Sequence, residues 1–231
     1  DTQDTTGTVL EEHLVEVTEE QVKEAVFSFT GEYMQVPPMY SALKVNGKKL
    51  CDLARAGVTV ERQARPVQLY SIEIIKMELP RVCMRVRCSK GTYIRTLCQD
   101  IGEKLSCGAC MESLLRTKVS EFCVQDALRL SEIEERVQKA AGQTPSEQWN
   151  AEMFDFIYAV DSVFLQYKKA VICKEWNKLL YNGNRMKKDM FVSYQKDWEQ
   201  QKVRIYDEEG RFIGIYEYSE IHGDYKPVKL F

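Results

Sequence analysis

The stretch Cys88-Ser-Lys-Gly-Thr-Tyr-Ile-Arg-Thr-Leu97 decides the fold of the first half of the chain. Apolar and polar residues alternate up to Cys88, which predicts a half-buried β-strand. Ser-Lys-Gly follows as turn chemistry, because Gly91 takes a positive φ at little cost. Apolar residues at helical spacing come next, so Tyr93 and Arg95 are predicted at the junction of strand and helix. An aromatic ring and a fixed cation there suit a planar, anionic partner such as a nucleotide, although a basic surface strand before an ordinary amphipathic helix has the same spacing.

The bulk composition bounds the class of protein. The chain has 231 residues, 44% of them hydrophobic, which is enough for one large domain or a domain with a small module. No apolar run approaches the roughly 20 residues that cross a bilayer, and no signal peptide is visible, so we expect a cytoplasmic protein with no membrane partner.

Charge is distributed unevenly although the net charge is only −3. Lys44–Arg65 holds six basic residues against two acidic ones, and Arg81–Lys118 holds eight against three. Ser131–Asp161 reverses the balance, with seven acidic residues against two basic ones. A basic face of this kind binds phosphates even in a protein of negative net charge, while solvated charge is the simpler alternative.

Eight cysteines are spread over apolar strand and helix positions. This distribution predicts reduced, mostly buried thiols rather than disulfides. Cys107 and Cys110 form a lone Cys-x-x-Cys, and a zinc site normally needs a second pair, so no metal is predicted. A thiol or zinc protein built on these two residues remains a minor alternative.

Local patterns predict further elements. Alternation predicts a strand over 8–17, and Thr18 with Gln21 is a capping-box signature that starts a helix. Periodicity predicts helices over about Gly108–Leu115 and over Leu130–Ala141, followed by a polar loop at 142–148. A boundary near 161–168 separates these elements from a β-rich module, with strands predicted at Ala170–Cys173, Met190–Tyr194, Lys202–Tyr206 and Arg211–Tyr218.

Four ordered blocks identify a family. The blocks are Asp1-Thr-Gln-Asp-Thr-Thr-Gly7; Gln35-Val-Pro-Pro-Met-Tyr-Ser-Ala-Leu-Lys44 with Gly47-Lys-Lys-Leu50 and Ala54-Arg-Ala-Gly57; Cys88–Leu97 with Asp100-Ile-Gly102; and Leu114-Leu-Arg-Thr-Lys-Val-Ser120. In these blocks the chain resembles the TruB family of tRNA pseudouridine synthases, over nearly its full length.

The resemblance implies an α+β fold, with a mixed, mostly antiparallel sheet flanked by helices and the N-terminal part of the pseudouridine synthase fold missing. It implies a partial catalytic domain at 1–162 and a small, β-rich, PUA-like RNA-binding domain at 163–231. The family isomerises a uridine in the T-loop of tRNA (position 55) to pseudouridine, without metal or organic cofactor. Its partner is the T-stem-loop, whose target base must leave the stack before an aspartate can attack the nucleotide.

The resemblance also implies roles for individual residues. Arg95 would pair with the catalytic aspartate, and Tyr93 would line the uracil pocket. The remaining substrate-binding candidates are a pocket-wall leucine, cations that would neutralise phosphates, and one residue of the first block: Leu114, Lys44, Lys48, Lys49, Arg55, Lys90, Arg116 and Asp1. A structural ion pair, core side chains and a solvated helix face are the corresponding alternatives.

The catalytic aspartate is the residue that the resemblance does not supply. The family carries it in Gly-x-Leu-Asp, upstream of the first block, and no aspartate of this chain has that context. We therefore expect the 231 residues alone to be inactive, and expect exposed core surface that either the missing segment or another copy of the chain covers. A non-catalytic tRNA-binding or tRNA-folding module is the alternative function.

Overall fold

The computed structural model describes residues 1–142 and 153–231. They divide into two compact units, Asp1–Arg116 and Thr117–Phe231. Most of the predicted polar loop lies outside the described residues. The boundary near residue 162, between a partial catalytic domain and a PUA-like RNA-binding domain, stays a prediction.

The first unit contains an antiparallel sheet, a short hairpin and three helices. Their bounds are α1 (Glu19–Phe27), β1 (Gly31–Gln35), β2 (Lys44–Val45), β3 (Lys48–Lys49), α2 (Leu50–Arg55), β4 (Arg65–Glu78), β5 (Arg81–Cys88) and α3 (Ile94–Lys104). The sheet order is β1-β4-β5, so the long strand β4 is central. Strands β2 and β3 pair only with each other, around Asn46-Gly47.

One face of this sheet carries the core of the first unit. Helices α1 and α3 pack there, and the buried cluster draws on all three elements: Val22, Ala25, Val26, Leu69, Ile72, Leu97 and Ile101. The capping box of Thr18 and Gln21 is present, with the Gln21 backbone N–H donating to the Thr18 hydroxyl over 3.3 Å. The predicted start of α1, the strand before Cys88 and the helix after Tyr93 are therefore confirmed.

Two predicted elements of the first unit are wrong. Residues 8–17 form neither helix nor strand, because no strand among the described residues pairs with them and alternation alone does not provide the hydrogen bonds. Residues 108–115 are not helical, because the Met111 backbone bonds instead to Gln3 (Met111 N–H to Gln3 C=O, 3.0 Å) and Thr5 (Thr5 N–H to Met111 C=O, 3.1 Å).

The predicted exposure of apolar surface has a counterpart in residues 8–17. Val9, Leu10 and Leu14 are each more than two-thirds exposed. That a further segment or a second copy covers such surface stays a prediction. A clean monomer in light scattering, with no binding of a surface dye, would contradict it.

The second unit is built on a four-stranded sheet of order β11-β10-β9-β8, with β8 parallel to β9 and the other pairs antiparallel. Its described strands and helices are β6 (Lys118–Val119), β7 (Phe122–Cys123), α4 (Leu130–Ala141), β8 (Lys168–Val171), α5 (Asn177–Tyr181), β9 (Lys202–Tyr206), β10 (Phe212–Ser219) and β11 (Asp224–Leu230). Short 3-10 helices lie at Val124–Asp126, Val160–Phe164, Lys174–Trp176, Lys188–Met190 and Lys196–Gln200. Helix α4 has the predicted bounds, whereas the strand predicted at Met190–Tyr194 is reduced to one bridge between Ile172 and Phe191.

The fold class is therefore the predicted α+β, with mostly antiparallel sheets and a β-rich C-terminal part. The prediction of mostly buried cysteines is wrong: all eight are free thiols, six of them partly buried, while Cys83 and Cys110 are exposed. Within residues 1–142 and 153–231, no cluster of three or more His, Cys, Asp or Glu side chains could hold a metal ion. Nor does any helix in those ranges have both the length and the apolar character to cross a bilayer.

Candidate active site

The junction between β5 and α3 places Tyr93 and Arg95 two residues apart at the start of a helix. Ser89 anchors the turn to β4, since its N–H donates to the Gln68 carbonyl (2.8 Å) and its hydroxyl accepts from the Gln68 N–H (3.0 Å). Gly91 has a φ of +89°, which only glycine adopts without strain. Tyr93 is the extended residue immediately before α3, and Arg95 lies in the first helical turn.

The Arg95 guanidinium is held by three acceptors from two distant segments. Nη1 donates to Asp4 Oδ2 (3.1 Å) and to the Thr2 carbonyl (3.2 Å), and Nη2 donates to the Tyr40 carbonyl (2.8 Å). The side chain is 24% exposed. Its Nε–H and one Nη2–H have no partner in the part of the chain that the structure describes, so a further acceptor can still bind.

Asp4 is the carboxylate that faces this cation, and it is already saturated with donors. Its Oδ1 accepts from the Thr2 hydroxyl (2.8 Å), from the Thr6 N–H (3.0 Å) and from the Thr6 hydroxyl. These bonds, those of Thr6 above all, with Arg95 adding to them, hold the pKa of Asp4 well below its usual range. Asp4 is therefore a permanent anion that orients Arg95.

Residues 1–8 form the loop that presents Asp4. The Thr8 N–H closes the loop onto Asp1 Oδ1 (2.8 Å), and a Cβ on Gly7 would lie 2.2 Å from that same oxygen, so a larger residue there would displace the Asp1 carboxylate. The Met111 bridge holds the middle of the loop, and the Thr96 hydroxyl donates to the Gln3 side chain over 2.8 Å. The loop is thus fastened to α3 itself.

The predicted binding residues near the junction lie at different depths. Tyr93 is half-buried, whereas Lys90 is exposed in the turn before it. Leu114 is 54% exposed in coil, and Arg116 ends the first unit as an exposed side chain. The pocket-wall role of Leu114 and the phosphate roles of the two cations stay predictions.

The other predicted cations gather on the β2–β3 hairpin and on α2. Lys44 and Lys49 face each other across the two strands, and Lys48 is next to them. None of these three ammonium groups has an acidic partner among the described residues. With Asp52 and Leu53 they line an open cleft of about 490 Å³. Like charges directly opposite each other are destabilising in a hairpin, so the arrangement favours a bound anion.

Arg55 differs from the three lysines, because Asp52 lies 3.6 Å from it on the same helix. Both side chains are mostly exposed, so this pair contributes little to stability and leaves Arg55 free to exchange partners.

Sequence reasoning missed two residues of the site. It placed Asp4 in the first block without a role of its own and did not pair it with Arg95. It gave no role to Gln35, whose side chain contacts the backbone of Tyr93. The signal for Asp4 was an aspartate flanked by threonines in a short loop, a pattern in which hydroxyl and backbone N–H groups saturate the carboxylate.

Comparison with solved structures shows the fold. The chain is similar to a chain of a Cbf5-Nop10-Gar1 complex, with a TM-score of 0.63 and 19% identity over 95% of this chain and 63% of that one. A chain in an H/ACA RNP bound to a substrate RNA containing 2′-deoxyuridine gives a TM-score of 0.60 at 18% identity, with the same coverage. The chain thus spans a little under two-thirds of those solved chains.

Sequence comparison shows the family. Residues 1–94 match the TruB family pseudouridylate synthase N-terminal domain, and residues 95–165 match the tRNA pseudouridylate synthase B C-terminal domain. A tRNA pseudouridine synthase B of Lachnoclostridium phytofermentans is 48% identical over 217 residues, which are 89% of this chain and 67% of that protein. One of Clostridium acetobutylicum is 38% identical over 230 residues, covering 100% and 73%. The chain belongs to the TruB family of pseudouridylate synthases.

Proposed function

We propose that this chain supplies tRNA-binding surface and part of the active site for isomerising uridine to pseudouridine at position 55, in the T-loop of tRNA. The observation that carries the proposal is the fixed guanidinium of Arg95. Asp4 and two backbone carbonyls orient it, and two of its N–H groups are left for another carboxylate.

A second carboxylate on Arg95 would be held ionised and aimed. A cation at contact distance lowers a carboxylate pKa by roughly 1–3 units, and a guanidinium binds planar carboxylates through paired N–H groups. Tyr93, at the same junction, offers an aromatic face on which an extruded uracil can stack.

Asp4 is not proposed as the nucleophile. Its Oδ1 already accepts three hydrogen bonds, and its low pKa makes it a weak base. No aspartate in the sequence follows Gly-x-Leu. We therefore propose that these 231 residues alone form no pseudouridine and work with a carboxylate from a Gly-x-Leu-Asp segment.

Tritium release from tRNA labelled at uridine C5 tests the proposal, because that hydrogen leaves when C5 becomes the glycosidic carbon. We expect no release by the 231-residue chain. We expect release when the chain is joined to the Gly-x-Leu-Asp segment of a family member, and none from a tRNA carrying cytidine at position 55. Release by the chain alone would contradict the proposed need for a further carboxylate.

Substituting the lysines of the β2–β3 hairpin tests the proposed tRNA binding separately from turnover. Replacing Lys44, Lys48 and Lys49 together by alanine should weaken T-stem-loop binding and lower the slope of log affinity against log salt by about 2. The control is Lys23→Ala with Lys76→Ala, whose ammonium groups already pair with carboxylates 3.5 and 2.9 Å away. An unchanged salt slope in the triple variant would remove the hairpin from the RNA interface.

The second candidate function is a non-catalytic tRNA-binding or tRNA-folding module. The unpaired lysines of the hairpin favour it, because phosphate contacts require no chemistry. It would be preferred if the joined protein binds tRNA with unchanged affinity and releases no tritium.

A further inference from the structure

Gln35 is a polar side chain buried where an apolar one would cost less. It is the last residue of β1 and is 1% exposed. A buried amide is unfavourable unless its donors and acceptor are paired. Among the described residues, the hydrogen bonds of this amide all go to Tyr93 and Tyr33.

The Gln35 amide binds the backbone of Tyr93 through both of that residue's polar groups. Oε1 accepts from the Tyr93 N–H at 2.8 Å, and Nε2 donates to the Tyr93 carbonyl at 3.0 Å. The side chain thus acts as a neighbouring strand does, although the two residues are 58 positions apart. The other Nε2 hydrogen is directed to the Tyr33 hydroxyl. The Tyr93 N–H can only donate and the Tyr93 carbonyl can only accept, so these two groups fix the orientation of the amide.

Tyr93 needs such an anchor. Its φ of −99° and ψ of 106° are those of an extended residue, and α3 begins immediately after it with no side-chain cap. Its carbonyl also accepts the Leu97 N–H (3.0 Å), which is an early backbone bond of the helix. Gln35 therefore secures both the residue before the helix and the first turn, where Arg95 lies.

We propose that Gln35 is the positioning residue of this site: it fixes the backbone of Tyr93, and through the first turn of α3 the direction of Arg95, without touching the RNA. The inference rests on the proposed function for its effect on turnover, but the positioning itself is a property of the 231-residue chain. Burial supports the geometry, since it raises the pKa of the Tyr33 hydroxyl well above its usual value and keeps that partner neutral.

Amide hydrogen exchange of the 231-residue chain tests the positioning directly. Gln35→Leu should speed exchange of the Tyr93 amide about tenfold, the value of one lost hydrogen bond. Exchange at Leu97, whose N–H bonds to the Tyr93 carbonyl, should also become faster, but by a smaller factor than at Tyr93. The control is Gln21→Leu, which removes another bond between a glutamine and the backbone, 2.8 Å long, far from Tyr93 in sequence. Unchanged exchange at Tyr93 in Gln35→Leu would overturn the proposal.

Turnover of the joined protein tests the consequence. Gln35→Leu should lower kcat about 100-fold with KM within about threefold, because a small displacement of catalytic groups costs that much while phosphate contacts stay. Gln21→Leu should leave both constants within about threefold. Equal constants for the two variants would overturn the positioning role.

Gln35→Glu gives a signature that a purely structural role would not produce. An ionised carboxylate can accept from the Tyr93 N–H but cannot donate to the Tyr93 carbonyl. Protonation restores that donor, and burial raises the pKa of such a carboxyl toward neutrality. Relative to the wild type at each pH, kcat should therefore recover at least fivefold between about pH 8 and about pH 6. A flat ratio would count against the proposal. If the joined wild type is inactive, the proposed function fails, while exchange at Tyr93 still decides whether Gln35 holds that residue.

Discussion

Breaking the ion pair between Asp4 and Arg95 should destabilise the first unit by an amount that a double-mutant cycle can isolate. The perturbation is Asp4→Asn, which keeps an oxygen for the threonine donors. It places an amide NH₂ opposite Arg95 Nη1, at the 3.1 Å where Oδ2 now accepts. An attractive contact becomes one between two donors.

The magnitude follows from burial and geometry. A hydrogen bond between charged groups is worth about 1.5–3 kcal/mol, and both side chains here are mostly shielded, with 24% and 13% exposure. We expect Asp4→Asn to lower the free energy of unfolding of the first unit by about 2–3 kcal/mol, and Arg95→Met to lower it by a similar amount. The coupling between them should be about 1.5–2.5 kcal/mol, because each change removes the same contact.

The chain offers an internal control for this cycle. In a Trp149→Phe background the two remaining tryptophans, Trp176 and Trp198, belong to the second unit, so their fluorescence reports unfolding of that unit. Hydrogen exchange of α3 in urea reports the first unit. In Asp4→Asn the urea midpoint of the exchange transition should fall, while the urea midpoint of the fluorescence transition should stay unchanged. Additive effects of the two substitutions, within about 0.5 kcal/mol, would refute the reasoning.

The pH dependence has a fixed sign. Because the folded pKa of Asp4 is lowered, the pair contributes its full stability above about pH 4, near the pKa of the unfolded residue. That contribution is lost as the pH falls toward the folded pKa. The stability difference between wild type and Asp4→Asn should therefore shrink below about pH 4.

Three further predictions concern the same unit. In the joined protein, Arg95→Ala should abolish tritium release while tRNA affinity stays within about tenfold, because most phosphate contacts remain; loss of binding with intact turnover per bound tRNA would reverse the assignment. Burial raises the pKa of Asp100 to about 6, so the folded state retains a proton there and stability should fall as the pH rises from about 4 to about 6. This fall in stability should be about 1–2 kcal/mol after allowing for the partial exposure of Asp100. Asp100→Asn should remove it, as measured by thermal melts between about pH 4 and about pH 6. Gly102→Ala should lower the free energy of unfolding in urea by about 3 kcal/mol, because its Cβ would lie 2.1 Å from the Ala109 nitrogen. The control, Gly142→Ala, should change that free energy by no more than about 0.5 kcal/mol, because the nearest atom to its Cβ is 3.7 Å away.

The sequence predicted those elements whose signals are local. The capping pair of Thr18 and Gln21, the alternation before Cys88 and the periodicity of α4 each depend on neighbouring residues, and each is confirmed. Residues 8–17 have the alternation of a strand, but a strand also needs a partner, and alternation does not say whether one exists.

Other elements depended on distant contacts or on position within a sheet. Met111 has the periodicity of a helix, yet its N–H and C=O bond to residues 3 and 5. Strand β11 was missed because Pro227 weakens a strand pattern, although proline is tolerated on an edge strand such as this one.

The site divides in the same way. Tyr93 and Arg95 could be placed at a strand-to-helix junction from their neighbours alone. The pairing of Arg95 with Asp4 spans 91 residues, and that of Gln35 with Tyr93 spans 58. A single sequence contains no signal for such long-range pairs, since any buried acceptor of the right size would serve.

The facing lysines of the β2–β3 hairpin give dissolved ions two opposing effects. Salt shields the repulsion between Lys44 and Lys49, and so stabilises the pairing of β2 with β3 when no RNA is bound. The same ions compete with RNA phosphates for these ammonium groups. At low ionic strength the first effect offsets part of the second, so a plot of log affinity against log salt should bend there instead of staying straight.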